Sequence, residues 1–295
     1  MSDSIIYKLR DYIAGLATGL TQILIGHPFD TIKVRQQSSV KNLTIKQVLF
    51  DLLKNEGTLA IYNGVASPLI CTSFLISIQF GVFQNSLKAL QDIQNRKELP
   101  IYQIALCGSI SGAACSPIMA PMENIRIKMQ VNRNPYQYTN TLDCFKRTFQ
   151  QYGIRGIYKG FNSTLIRELP GECIYFLIYE MQMRKLRQSL QQQPLLLQYS
   201  PLLAGAVSGL IFWISVFPID TLKSRIQSDD MQNPLFKNFL DCFKKTVNKE
   251  GFGALFKGIN VCIIRSLPAN GFGFLAFEET KKLIEISYSQ AIKIH

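Results

Sequence analysis

One signature occurs three times along the chain. It reads Pro28-x-Asp30-x-x-Lys33-x-Arg35-x-Gln37, Pro121-x-Glu123-x-x-Arg126-x-Lys128-x-Gln130 and Pro218-x-Asp220-x-x-Lys223-x-Arg225-x-Gln227. Successive prolines are 93 and 97 residues apart. A period this long is a whole structural unit, so one architecture is built three times. Each copy places an acid and a base about one helical turn apart at the end of an apolar stretch. Charges there are costly unless paired. Three such pairs suggest a ring of ion pairs closing one end of a central passage.

The 295 residues suffice for two ordinary domains. The repeats argue instead for a single domain over 1–295, with units 1–97, 98–193 and 194–295. Charged residues make up 18% of the chain, below the roughly 25% of soluble proteins. Mean hydropathy is only +0.10, which suits a membrane protein with a wet interior. Net charge is +12, but the basic residues cluster after apolar spans. There they fit positive-inside anchoring, anionic lipid or an anionic substrate group, and they argue against nucleic acid. The seven cysteines form no C-x-x-C pair, and the two histidines are His27 and His295. Neither a disulfide framework nor a metal site is suggested. There is no nucleophile–base constellation and no nucleotide loop, so neither an enzyme nor a cofactor is expected. Residues 1–10 lack an Arg-rich or hydrophobic leader, so no cleaved presequence is expected.

Each repeat carries two long apolar stretches around a polar middle. The pattern predicts an all-α membrane protein with helices over 9–36, 66–91, 102–130, 164–187, 199–227 and 262–286. Each approaches the ~20 residues of a spanning helix. Gly, Ser, Thr and Gln recur on one face, as in helices that line a cavity. Gly15/Gly19, Gly108/Gly112 and Gly205/Gly209 have the small-residue spacing of close helix packing. Short amphipathic helices are expected over 43–54, 141–152 and 239–249. Each ends near a glycine, and Tyr62-Asn63-Gly64, Tyr158-Lys159-Gly160 and Phe256-Lys257-Gly258 follow. Gly64, Gly160 and Gly258, with Lys159 and Lys257, would suit an anionic lipid headgroup.

Proline-acid-base, then glycine, then aromatic-Lys-Gly, three times over, resembles the mitochondrial carrier family across nearly the whole chain. The resemblance implies six transmembrane helices in three pseudo-symmetric repeats around a cavity, with three matrix-side amphipathic helices. It implies transport by alternating access, in the mitochondrial inner membrane, with cardiolipin as the bound lipid. It also pairs the signature charges between repeats into a matrix gate: Asp30 with Arg126, Glu123 with Lys223, Asp220 with Lys33. Gln37, Gln130 and Gln227 would brace these pairs. On the even helices the cytosolic gate is poorly kept: Phe277-Glu278-x-x-Lys281 is complete, while Tyr179-Glu180-x-x-Met183 lacks its base. Phe83-Gln84-x-x-Leu87 lacks both charges. Glu180 with Lys281 is the surviving pair.

By the same resemblance, Cys71, Arg167, Glu168 and Arg265 are the central substrate contacts. An Arg fork holds a carboxylate and an adjacent Glu a cation, so the implied ligand is zwitterionic. Leu165-Ile-Arg-Glu-Leu-Pro-Gly171, Arg265-x-x-Pro268 and Gly26-His-Pro-Phe-Asp30 look like the carnitine/acylcarnitine and ornithine (basic amino-acid) branch. Ornithine-type members carry an acid where Leu75 stands, so Leu75 tilts the expectation towards a carnitine ester with an apolar wall. The alternative is an ornithine or basic amino-acid carrier. His27 would face the substrate, or pack. Trp213 would offer a cation–π face to a quaternary ammonium, or pack. A carrier-fold structural subunit associated with a larger membrane complex is a further alternative.

Overall fold

The computed structural model of the chain describes residues 10–39, 43–96, 98–131, 138–191 and 193–294. These residues are helical throughout, with no strand. Six helices are long: α1 (Arg10–Ser38), α3 (Ala66–Gln94), α4 (Ile101–Val131), α6 (Phe161–Ser189), α7 (Pro194–Ser228) and α9 (Ile259–Ile294). Three are short: α2 (Ile45–Asn55), α5 (Thr141–Ile157) and α8 (Phe239–Glu250). Single 3₁₀ turns at Thr58–Tyr62 and Phe252–Phe256 lead from α2 and α8 into the next long helix.

The short helices start where the sequence supplies a cap. Thr44 and Gln47 form a capping box. Asn140 accepts from the Asp143 amide and Asn238 from the Asp241 amide. Each cap satisfies a helix donor that otherwise lacks a partner. The regular part of α5 ends at Gly153, one residue past the expected 152. Gly153 breaks its ladder at φ 61°, a conformation that only glycine adopts without strain, and a further turn follows. Leu142, Phe145 and Phe149 of α5 and Leu240 and Phe243 of α8 face outward, the pattern of helices lying along a lipid boundary.

Three equivalent apolar clusters anchor these short helices. Ile32 packs with Val48, Ile125 with Cys144 and Ile157, and Leu222 with Cys242 and Leu255. Ile32, Ile125 and Leu222 all stand four residues past a signature proline. Each proline end is therefore pinned to its own repeat's short helix. Cys144 and Cys242 are fully buried there, and burial pushes both thiols up to about 11. They act as small apolar groups.

The long helices pack in sequence around the bundle: α9 on α1, α3 on α4, α4 on α6 and α6 on α7. Each odd helix also meets the other two, so α1, α4 and α7 converge. The convergence lies at their proline ends, where the signature side chains cross between repeats. Two small-residue positions of α4 receive side chains from α6. A Cβ at Gly112 would meet the Glu172 side chain at 2.8 Å, and one at Gly108 would strike Phe176. Among the described residues three segments are long and apolar enough to cross a membrane by themselves: Ile101–Val131, Leu203–Ser228 and Phe252–Gly273.

Candidate functional site

Where α1, α4 and α7 converge, three ion pairs connect three repeats. Arg126 Nη2 lies 2.5 Å from Asp30 Oδ2, Lys223 Nζ 2.5 Å from Glu123 Oε2, and Lys33 Nζ 2.7 Å from Asp220 Oδ2. The ring is not symmetric. The Lys223 side chain is 2% exposed, whereas Arg126 and Asp30 are 21% and 18% exposed. The glutamines also differ. Gln37 Nε2 donates to Asp220 at 3.3 Å and to Thr221 at 3.2 Å. Gln130 donates to Thr31 instead of to a ring charge. Gln227 is fully buried with no side-chain hydrogen bond among the described residues, and its stem lies against Gly160. Bracing of the ring by a glutamine is thus found at one position of three.

A second tier lies beside the ring. Arg35 grips Glu56 with two bonds of 2.6 Å, and its Nε donates to the Gln130 carbonyl at 2.7 Å. Arg225 grips Glu250 at 2.5 and 2.8 Å, and its Nε donates to the Gln37 carbonyl at 2.9 Å. Each arginine thus ties its own short helix to the end of a neighbouring repeat's long helix. In the second repeat Tyr152 replaces the glutamate. Lys128 there lies 5.9 Å from the Tyr152 ring and 3.5 Å from the Thr148 hydroxyl. The residue three past each signature proline caps the following loop. Thr31 donates to Ile61 O at 2.8 Å, Asn124 to Gly156 O and Ile157 O at 2.8 Å, and Thr221 to Leu255 O at 2.7 Å.

Arg35→Ala should therefore cost about 3–5 kcal/mol, because it strands Glu56, whose side chain is 6% exposed. Lys128→Ala should cost about 1 kcal/mol or less, the scale of a cation–π contact. Thermal unfolding in detergent measures both. Equal shifts would show that the bidentate ties carry no special weight.

The lysines expected at lipid have protein partners. Lys159 Nζ donates to the Asp229 carbonyl, beyond the end of α7. Burial there lowers its pKa to about 8. Lys257 Nζ pairs with Glu250 at 2.5 Å and lies 3.5 Å from the Ser39 carbonyl, beyond the end of α1. Gly64, Gly160 and Gly258 all have positive φ, at 84°, 81° and 87°. Each packs against a neighbouring repeat: Met129, Gln227 and Lys33 respectively.

Above the ring lies an inner cavity of about 320 Å³. Arg167, Glu168, Arg265 and Trp213 line it together with the ring charges. Arg167 closes on Glu168 and lies 3.9 Å from Glu123 and 4.0 Å from Asp220. Arg265 Nε lies 3.2 Å from Asp30 Oδ1. The floor charges and the ring thus form one electrostatic network.

Four expected substrate contacts are placed differently. His27 is fully buried, its Nε2 3.0 Å from the Asn63 carbonyl and its ring stacked on Tyr62. It fixes its own repeat's loop. Leu75 is 6% exposed, with its carbonyl accepting from the Cys115 thiol, and it lines neither cavity. Cys71 lines neither cavity either. Trp213 does line the cavity, but Lys33 Nζ sits 4.5 Å from its ring centroid. The cation on that tryptophan comes from the protein itself.

A larger outer cavity, about 670 Å³, extends away from the ring. Its wall is mostly aromatic and includes Phe83, Tyr175, Phe176, Tyr179 and Phe212. Phe83 stacks on Phe176 at 4.0 Å, and Tyr179 on Tyr175 at 6.2 Å. At the far end Arg184 pairs with Glu180 at 2.8 Å and donates to the Leu99 carbonyl at 2.6 Å. The expected partner of Glu180 was Lys281. The α6 helix supplies a base of its own one turn on. The side chain of Phe277 lies outside the described residues.

Comparison with known proteins agrees with this architecture. The family model "Mitochondrial carrier protein" matches three times, over residues 7–94, 97–190 and 197–287. Carrier protein YMC2 of Saccharomyces cerevisiae is 36% identical, covering 92% of this chain and 87% of its own length. The mitochondrial basic amino acids transporter of Homo sapiens is 35% identical, covering 90% and 87%. The mitochondrial glycine transporter YMC1 of S. cerevisiae is 34% identical, covering 94% and 92%. Three repeats, each contributing one acid and one base to a shared ring, make this chain a member of the mitochondrial carrier family, seated in the inner membrane.

Proposed function

We propose that the protein carries amino acids across the inner membrane by alternating access, with all six long helices spanning it. Helices α1 and α6 are the more polar because they turn charged groups towards the inner cavity. The ring is the matrix gate, closed in this structure, and the outer cavity is the cytosolic entrance.

The observation that carries the reading is the coupling of floor to ring. Arg265 Nε lies 3.2 Å from Asp30 Oδ1 as an ion pair, and Arg167 bonds Glu168. A substrate carboxylate competes with Asp30 for Arg265. A substrate ammonium competes with Arg167 for Glu168. Binding of a zwitterion therefore withdraws Arg265 from Asp30 and frees Arg167 to compete for Glu123 and Asp220, and only such differential contacts can shift a two-state equilibrium.

Carnitine fits less well than the sequence suggested. Leu75 is no cavity wall, Trp213 already faces Lys33, and a quaternary ammonium has no N–H to offer Glu168. A primary ammonium has three. The names of two relatives, a basic amino acids transporter and a glycine transporter, support the same choice.

Uptake by proteoliposomes tests it against glycine, lysine, ornithine, arginine, carnitine and acylcarnitines. Amino-acid uptake that carnitine does not compete for is the expected result. Carnitine uptake with no amino-acid uptake would overturn the proposal.

A further inference from the structure

The inner and outer cavities share three lining residues: Glu172, Phe212 and Trp213. Glu172 stands one helical turn beyond Glu168 on α6, so both carboxylates face the same way. Among the described residues lining the outer cavity it is the one charged side chain. It belongs to no gate pair. No ion pair reaches it among the described residues, and its side-chain hydrogen-bond partner is Gln79, on α3. Gly112 of α4 leaves the space its side chain fills. A carboxylate in the middle of a spanning bundle, without a basic partner, points to a ligand.

We propose that Glu172 is the specificity residue that receives the distal ammonium of a basic amino acid. This rests on the amino-acid reading above. The α-carboxylate lies on Arg265 and the α-ammonium on Glu168, at the cavity floor. The side chain then runs outward past Phe212 and Trp213. One turn of helix separates Glu168 from Glu172, a rise of about 5.4 Å. The two ammonium groups of a diamino acid are spaced on that same scale. The flanking rings cover its methylene groups, and Phe212 presents a π face to its cation. Arg167 has Glu123 and Asp220 as alternative partners at 3.9 and 4.0 Å, so Glu168 can turn to the substrate without stranding the arginine. The acid missing at Leu75 is thus supplied from the facing wall, by α6 instead of α3.

The experiment compares wild type, Glu172→Gln and Glu172→Asp in proteoliposomes, with KM measured for lysine, ornithine and glycine. Glu172→Gln should raise KM for lysine and ornithine about tenfold or more relative to glycine, the scale of one charge-assisted hydrogen bond. Glu172→Asp should recover most of the difference. Equal losses for glycine and lysine would mark a structural role and overturn the proposal. So would an unchanged ratio. A wild type that takes glycine but neither diamino acid would also overturn it, and would leave the amino-acid reading standing. A wild type that takes none of the three would end both.

Discussion

Glu168→Gln and Arg265→Ala are each expected to reduce amino-acid uptake by about a hundredfold or more, while the protein still inserts. Glu168 is 2% exposed and its carboxylate meets Arg167, itself 6% exposed. The amide keeps the shape but offers no negative charge to a substrate ammonium. Bonds to charged groups contribute about 1.5–3 kcal/mol each, and a transport cycle uses them at the step that opens the gate. Arg265 acts through its reach. Its side chain is 28% exposed, the most open of the three floor charges, and it already lies against Asp30. Alanine there removes both the carboxylate site and the link from floor to ring. Arg265→Lys keeps the charge but not the fork, so partial recovery is expected. Initial uptake rates in proteoliposomes decide, with melting in detergent as the check on folding. Wild-type rates in both variants would remove the floor from the substrate path.

The ring of ion pairs was legible because its residues repeat. Proline, acid and base recur in register, and the three cross-repeat distances of 2.5, 2.5 and 2.7 Å follow that register. The helices were legible too, to within a few residues at most ends. The larger miss has a physical cause. Helix α9 runs to Ile294, eight residues past the expected 286, because no proline or glycine stops it. The second short helix does end where expected, at Gly153, whose φ of 61° kinks the chain before a separate turn.

Side chains that serve a single loop were harder to place. His27 looks like a cavity residue in one dimension, but its direction depends on where the Asn63 carbonyl comes to rest. The Arg35–Glu56 and Arg225–Glu250 ties join residues 21 and 25 positions apart. Their signal was present: an arginine seven residues past the first and third signature prolines and a glutamate before the next glycine. The second repeat hides it by putting Tyr152 in the glutamate's place. Glu172 was missed for the opposite reason. Its counterparts are Ile76 and Asn270, so a threefold reading averages it away. The proposed specificity residue breaks the threefold symmetry, whereas the ring keeps it.

Glu123→Gln is expected to unlock the ring without substrate. Lys223 is 2% exposed and its partner is Glu123 at 2.5 Å, while Arg167 lies 3.9 Å from the same carboxylate. The amide leaves the buried Lys223 ammonium facing a neutral group, while Arg167 keeps Glu168. Stranding a buried charge costs about 3–5 kcal/mol. A shift of about 5.5 kcal/mol carries a two-state equilibrium from 99:1 to 1:99. The closed state should therefore lose most of its advantage, and net uptake should fall because a carrier must populate both states in turn. The single tryptophan reports the change directly. Trp213 has Lys33 Nζ 4.5 Å from its ring centroid, and that ammonium belongs to the ring through Asp220. Opening withdraws the cation, so Trp213 emission should shift in the substrate-free variant, and should shift the same way in wild type on adding substrate. Glu123→Gln combined with Lys223→Gln removes both charges of the pair. It should regain thermal stability, since neither charge is then stranded, yet remain impaired in transport. Unchanged emission together with wild-type uptake in the single variant would show that these pairs hold the bundle together and gate nothing.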